Sequence, residues 1–363
     1  MHSRRTFLQA AGAAALAPLA AAKAAPLREY TRGGMVYRQL GATSLFVSQL
    51  SFGSHTDHAY RKPRQGGSVL TEEGQARRDQ HLAHAFDLGV NLVDVYENES
   101  QWEPTARVIK PRRDKVMLSL SLNFPEYVGA TIDRAARLFG YTDLFRIHID
   151  DWHQVDAKTL EDWDVMRRAK EAGKIRAIGI ATHTETTMLN ALTALEGLDY
   201  IFFPYNFIHG RADYSEFLPL AQKKQVGLVA IKPLAAGSIV NLDPRARSGP
   251  KPETETAVMY GSRNHNMLPA AIAELTRSLN RMPDETLCQA AIRFVYSRPF
   301  ITCAIPGMWD DQWIDDNYAA LRRAQELGRE ERSALDAASQ VALAYGKAWL
   351  PERYQWLEER WRR

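Results

Sequence analysis

Tyr141–Asp151, YTDLFRIHIDD, and Gly173–Thr184, GKIRAIGIATHT, are the stretches whose reading decides the fold. Each carries a short apolar run, Leu144–Ile149 and Ile175–Ile180, that gives way abruptly to polar residues. In the first these are His148, Asp150 and Asp151; in the second, Thr182, His183 and Thr184. Between them Leu160–Ala172 is amphipathic with helical period. Strand, helix, strand is the unit of a parallel sheet covered on both faces. Polar residues at the carboxyl end of a buried strand lie where barrels and open α/β sheets place their sites.

Working outward, the same unit recurs. Met35–Gly53 reads as a short N-terminal hairpin followed by a first barrel strand, Val47–Phe52. A His- and Gly-rich loop, Ser54–Thr71, precedes a helix over Glu72–Leu88 that Gly89 closes. Further strands are expected at Asn91–Val95, Lys115–Leu122, Tyr200–Phe207, Val226–Leu234 and Phe300–Pro306, with helical patterns between them. The segment Ala235–Asn266 is too long for a routine connection and reads as a functional loop. Eight strand–helix units predict an α/β fold, a (β/α)8 TIM barrel with an N-terminal hairpin and extra C-terminal helices. A doubly wound sheet is the alternative. The barrel is expected over 35–336 and a helical extension over 337–363.

With 363 residues, 45 % hydrophobic and 25 % charged, the chain can build a large core. Its formal net charge is +3 and its basic residues are scattered, which argues against nucleic acid as a partner. Two cysteines, Cys288 and Cys303, offer no metal spacing; buried thiols are favoured over a pair. Residues 1–24 are informative in another way. Ser3-Arg4-Arg5-Thr6-Phe7-Leu8 precedes a weakly apolar Ala-rich run and a small-x-small site at Ala22-Lys23-Ala24. This resembles a twin-arginine signal peptide, which implies export by the twin-arginine machinery to the periplasm and no stable membrane association after cleavage.

MVYRQLGATSLFVSQLSFG, GVNLVD, YTDLFRIH, GKIRAIGIATHT, FPYN, KPLAAG and IPG, in this order, resemble the aldo/keto reductases over Met35 to about Asp336. The resemblance implies a barrel that transfers hydride between NADP(H) and a small carbonyl or alcohol. It places Asp94, Tyr96 and His148 on catalytic positions. Tyr96 would be the general acid, although it follows Asp94 at shorter spacing than in the family, and His148 would orient the carbonyl. Thr182, His183, Lys232, Gly237, Ser238 and Asn317 fall on cofactor-binding positions.

The departures are specific. The tetrad lysine, whose charge would make a phenol of ordinary pKa about 10 a competent acid, is Ser121 here. Phe202 and Ile231 replace family cofactor contacts, and the grip on the 2′-phosphate reads Met308-Trp309-Asp310-Asp311. Lys232 is a candidate substitute cation. Two other functions stay open at this stage. One is a catalytically altered barrel that serves as a periplasmic ligand-binding protein. The other is a metal-dependent enzyme using His55 and His58.

Overall fold

The computed structural model describes residues 27–122, 127–149, 152, 155–207, 210–234, 284–323, 329 and 333. The twin-arginine segment, the loop at 235–266 with Gly237 and Ser238, and the extension 337–363 lie outside the described residues.

The chain begins with a three-stranded antiparallel sheet of β1 (Glu29–Arg32), β2 (Met35–Gln39) and β3 (Phe46–Ser48). A second antiparallel pair, β4 (Arg61–Arg64) and β5 (Gly67–Leu70), lies inside what reads in sequence as a plain loop. Its alternation is hidden by charge and by Pro63, which an edge strand tolerates. Helix α1 (Glu72–Asp87) follows, capped by the Thr71 hydroxyl on the Gly74 N–H and ended by Gly89 at φ +97°.

Then comes the parallel sheet: β6 (Leu92–Tyr96), β7 (Met117–Leu122), β8 (Thr142–His148), β9 (Ile175–Ala181), β10 (Tyr200–Pro204), β11 (Gly227–Ile231) and β12 (Cys303–Ile305). Each pairs with the next, making seven staves. Helices α2 (Trp102–Ile109), α3 (Val128–Phe139), α4 (Ala157–Glu171), α5 (Glu185–Ala194) and α6 (Phe217–Lys223) fall between them. Helix α7 (Leu287–Tyr296) precedes β12 and α8 (Asp311–Arg322) follows it.

The eighth stave is the stretch 49–53. It bonds on one side to β12, through Ser51 N to Ala304 O at 3.0 Å, and on the other to β6, through Phe52 N to Leu92 O at 2.9 Å. Parallel bridges Leu50–Ala304 and Phe52–Val93 fix its register. The barrel is therefore closed, with its first stave a little later than the expected Val47–Phe52. Residues 46–48 pair with β2 instead.

Strand periodicity of two sorts the side chains. One set, Val93, Val95, Leu118, Leu120, Phe145, Ile147, Ile178 and Ile180, packs under the helices. The alternate set turns inward, where Leu92, Met117, Leu144, Ala177, Tyr200, Phe202, Val229 and Cys303 form a separate cluster with Leu40, Leu45 and Val47 from the hairpin end. Gly179 is required there: a Cβ would stand 2.5 Å from the Tyr200 carbonyl oxygen and 2.6 Å from its ring. No disulfide joins Cys288 and Cys303. Among the described residues no helix is long and apolar enough to cross a membrane.

Candidate active site

The inward parity that carries Leu92 and Leu144 at one level carries charge at the next. Asp94 on β6 and Arg146 on β8 are both buried and joined by two bonds, Nη1 to Oδ1 at 2.6 Å and Nη2 to Oδ2 at 2.8 Å. The Ser119 hydroxyl on the intervening β7 donates to Asp94 Oδ1 at 2.7 Å and accepts from Arg146 Nη1 at 2.6 Å. Ser54, just beyond the first stave, donates to Asp94 Oδ2 at 2.9 Å. Four donors on a carboxylate saturate it. Phe202 completes the seat, with its ring centroid 4.1 Å from the guanidinium carbon. A buried cation needs such a partner.

Arg146 thus places a buried positive charge on β8 beside its paired neighbour Ser121 on β7. Sequence reasoning missed it because Arg146 sits inside an apolar run. Its parity with His148 was the available signal: a charge on the inward face of a buried strand demands a counter-charge, and Asp94 was the acid in reach.

Tyr96 and Ser121 are paired neighbours at the same level as Arg146, and the guanidinium carbon lies 6.0 Å from the Tyr96 ring centroid. The distance matters. Burial raises the Tyr96 phenol pKa and the nearby Asp94 charge raises it further, against the opposing effects of Arg146 and a Ser54 hydrogen bond. A phenol activated by a cation would move the other way.

On the opposite side of the mouth the rings of His148 and His183 stand 5.4 Å apart. Lys232 Nζ is 3.1 Å from His183 Nε2. An ammonium only donates, so it assigns His183 the tautomer with its proton on Nδ1. Lys232 follows β11 at φ +52°, a left-handed conformation that costs about 1–3 kcal/mol in a non-glycine residue. The Asn206 amide, donating to the Lys232 carbonyl at 2.9 Å, helps to hold it there. Thr182 is fully buried after β9, and its hydroxyl accepts from Thr184 N at 3.2 Å. Asn317 is buried on α8, whose N-terminus is capped by the Asp310 carboxylate accepting from Gln312 N at 2.8 Å.

A third group surrounds Glu99. This buried carboxylate takes the Thr56 N–H and hydroxyl at 2.7 Å each, Arg61 Nη2 at 2.9 Å and His55 Nδ1 at 2.9 Å. Burial alone would raise its pKa, but the His55 bond and charge, the Arg61 charge and the Thr56 bond outweigh it and hold the group at about 2. His55 meets the Tyr96 ring edge-on at 5.1 Å, whereas His58 packs against Trp309 at 5.6 Å. The two imidazoles therefore go to different neighbours. Among the described residues no three His, Cys, Asp or Glu side chains are placed to share a metal ion. Trp102 is core, edge-on against Phe139, and the rings of Trp309 and Trp313 pack together at 5.8 Å.

A closed parallel barrel with its polar and charged side chains gathered at the carboxyl ends of the strands is the architecture of a barrel enzyme. The profile of the aldo/keto reductase family matches residues 66–340, and the chain belongs to that family. Among curated relatives it is 25 % identical over 340 residues to the L-glyceraldehyde 3-phosphate reductase of Escherichia coli O157:H7, covering 84 % of this chain and 92 % of that protein. It is 21 % identical over 314 residues to the L-galactose dehydrogenase of Arabidopsis thaliana, covering 82 % and 91 %. Two solved structures share the fold. The holo form of an aldo-keto reductase from Bacillus halodurans superposes with a TM-score of 0.64 at 23 % identity, over 83 % of this chain and 95 % of that one. An aldo-keto reductase from Klebsiella pneumoniae in complex with NADPH gives 0.57 at 19 %, over 82 % and 93 %.

Proposed function

We propose that this chain is an exported oxidoreductase that uses NADP(H) to reduce a small carbonyl substrate, its catalytic tetrad rebuilt around a buried arginine. One observation carries the reading. The Asp94–Arg146–Ser119 lock restores an acid–cation pair at the barrel mouth, its guanidinium level with Tyr96, although the lysine that usually makes that pair is absent.

The residues at the nicotinamide end fit a carboxamide: Thr182, His183 and Asn206 offer polar side chains at the carboxyl ends of β9 and β10, beside the cationic Lys232. The adenine end is less accommodating. Asp310 already places a carboxylate on the α8 N-terminus, where the family grips a 2′-phosphate. A reduced nicotinamide supplies the hydride in such a site. The protein's own share is to orient the carbonyl through His148, to fix the charge beneath it through Arg146, and to deliver a proton at the oxygen.

The mature protein, from Ala25 onward, should bind NADPH with micromolar affinity, read as quenching of its tryptophan emission. Absence of saturation up to millimolar in folded, cofactor-free protein would remove the reductase reading. The binding-protein alternative, favoured by the Asp310 carboxylate, would then stand. Export by the twin-arginine route is tested separately: replacing Arg4 and Arg5 with lysine should retain the protein in the cytoplasmic fraction.

A further inference from the structure

The pair His55–Glu99 has the form of a proton-transfer dyad. A carboxylate only accepts, so the 2.9 Å contact assigns a proton to His55 Nδ1. The opposite nitrogen, Nε2, is left on a ring that is 43 % exposed, next to Tyr96. Glu99 itself is buried, and its second oxygen is held by Thr56 and Arg61. It is thus fixed in position and ionised.

His55 is equally constrained along the backbone. Its carbonyl accepts from Trp309 Nε1 at 2.6 Å, and the preceding Ser54 is bonded to Asp94. Gly53 passes so close to the Pro306 carbonyl that a Cβ there would stand 2.5 Å from it. These contacts pin the end of the first stave to the top of β12 and bring one imidazole to the side of the mouth where Tyr96 and Arg146 meet. The charged groups around the dyad are Arg61, bonded to Glu99 at 2.9 Å, buried Arg78, whose charge acts on Glu99 and Asp94, and Asp94 itself beneath Ser54.

We propose that His55, oriented by Glu99, is the proton donor of the reduction, in place of Tyr96. This rests on the reductase reading above. As the carbonyl carbon gains its hydride from the reduced nicotinamide, the carbonyl oxygen takes the Nε2 proton of His55, which enters the step as the doubly protonated imidazolium. The new O–H bond replaces the N–H bond, whose electron pair stays on the imidazole. The neutral ring keeps its Nδ1 proton on Glu99, and solvent reprotonates Nε2 through the exposed edge. Glu99 acts as a positioning residue. Tyr96 packs against the donor and holds its plane.

The test has two arms on the mature protein. In the first, side-chain nitrogen NMR of the cofactor-free protein, assigned with His55→Gln, reads the neutral tautomer of His55. The Nδ1–H form is expected, and loss of that preference in Glu99→Gln. An Nε2–H form in the wild type, or a tautomer unmoved by Glu99→Gln, overturns the dyad. In the second, NADPH oxidation with 4-nitrobenzaldehyde should fall about 100-fold or more in kcat for His55→Gln, with NADPH affinity unchanged, whereas Tyr96→Phe should keep most of it. Undiminished turnover in His55→Gln with loss in Tyr96→Phe overturns the donor role alone. A wild-type protein that binds no NADPH overturns the reductase reading, and the donor role with it.

Discussion

Asp94→Asn and Arg146→Met, made singly and together, test whether the charge lock at the barrel mouth is a coupled unit. The side chains are 3 % and 1 % exposed and meet at 2.6 Å, so each single change leaves its partner's charge buried without a counter-ion. Such a break costs about 3–5 kcal/mol, while replacing both charges is often neutral or better. For a chain of this size that corresponds to a melting temperature lower by about 4–7 °C in each single variant. The double variant should melt well above both, with a coupling energy of about 2 kcal/mol or more. Circular dichroism melts of the protein from Ala25 onward at pH 7 read the cycle directly. Additive losses, or single variants each within about 1 kcal/mol of wild type, would falsify the claim that Asp94 and Arg146 hold one another. The same cycle followed by NADPH titration separates stability from binding, because the folded double variant keeps Thr182, His183 and Lys232.

Other outcomes follow from neighbouring residues. Glu99 is held at about 2 against an ordinary 4.5, so its contribution is present above about pH 4.5 and is lost as pH falls toward 2. Urea midpoints at pH 6 and pH 3 should show about 2 kcal/mol of this loss in wild type and little of it in Glu99→Gln. Asp310→Ser keeps a helix-capping hydroxyl on α8 but removes the carboxylate. NADPH affinity should rise about fivefold at low salt with NADH affinity unmoved; equal gains for both would refute a 2′-phosphate clash. Burial pushes the Cys303 thiol up to about 12, so iodoacetamide at pH 8 should leave it unlabelled in the native protein and reach it after unfolding. Rapid native labelling would place it elsewhere.

The barrel was legible because buried parallel strands are continuous apolar runs with abrupt polar ends, and Ile175–Ala181 and Glu72–Asp87 fall where the pattern puts them. The pair β4 and β5 was not, since its strands are mostly exposed, with β4 charged, and β5 is tied to the distant loop residues Asn98 and Ser100. In the candidate site the strand-end residues Asp94, Tyr96, His148, Thr182 and His183 are inferable from position alone. What joins them is not. Arg146 bonds a residue 52 positions away and Glu99 bonds His55 across 44. Residue type announces a charge, but only the curvature of the sheet tells which other charge it meets. His55 is the clearest case: in sequence it stands three residues from His58 and suggests a shared metal, and in the fold the two rings part.

The stave at 49–53 has a consequence for the order of events during synthesis. Its outer neighbour is Ala304, 254 positions later when counted from Leu50. At ordinary translation rates roughly 10–50 s separate the emergence of the two. Through that interval Leu50 and Phe52, both fully buried in the finished molecule, have β6 to lean on but no β12. A nascent chain interrupted before Cys303 is a sheet with a live edge, open to pairing with another copy. The seam therefore makes completion of the polypeptide, rather than any local helix or hairpin, the event that renders the molecule safe to release.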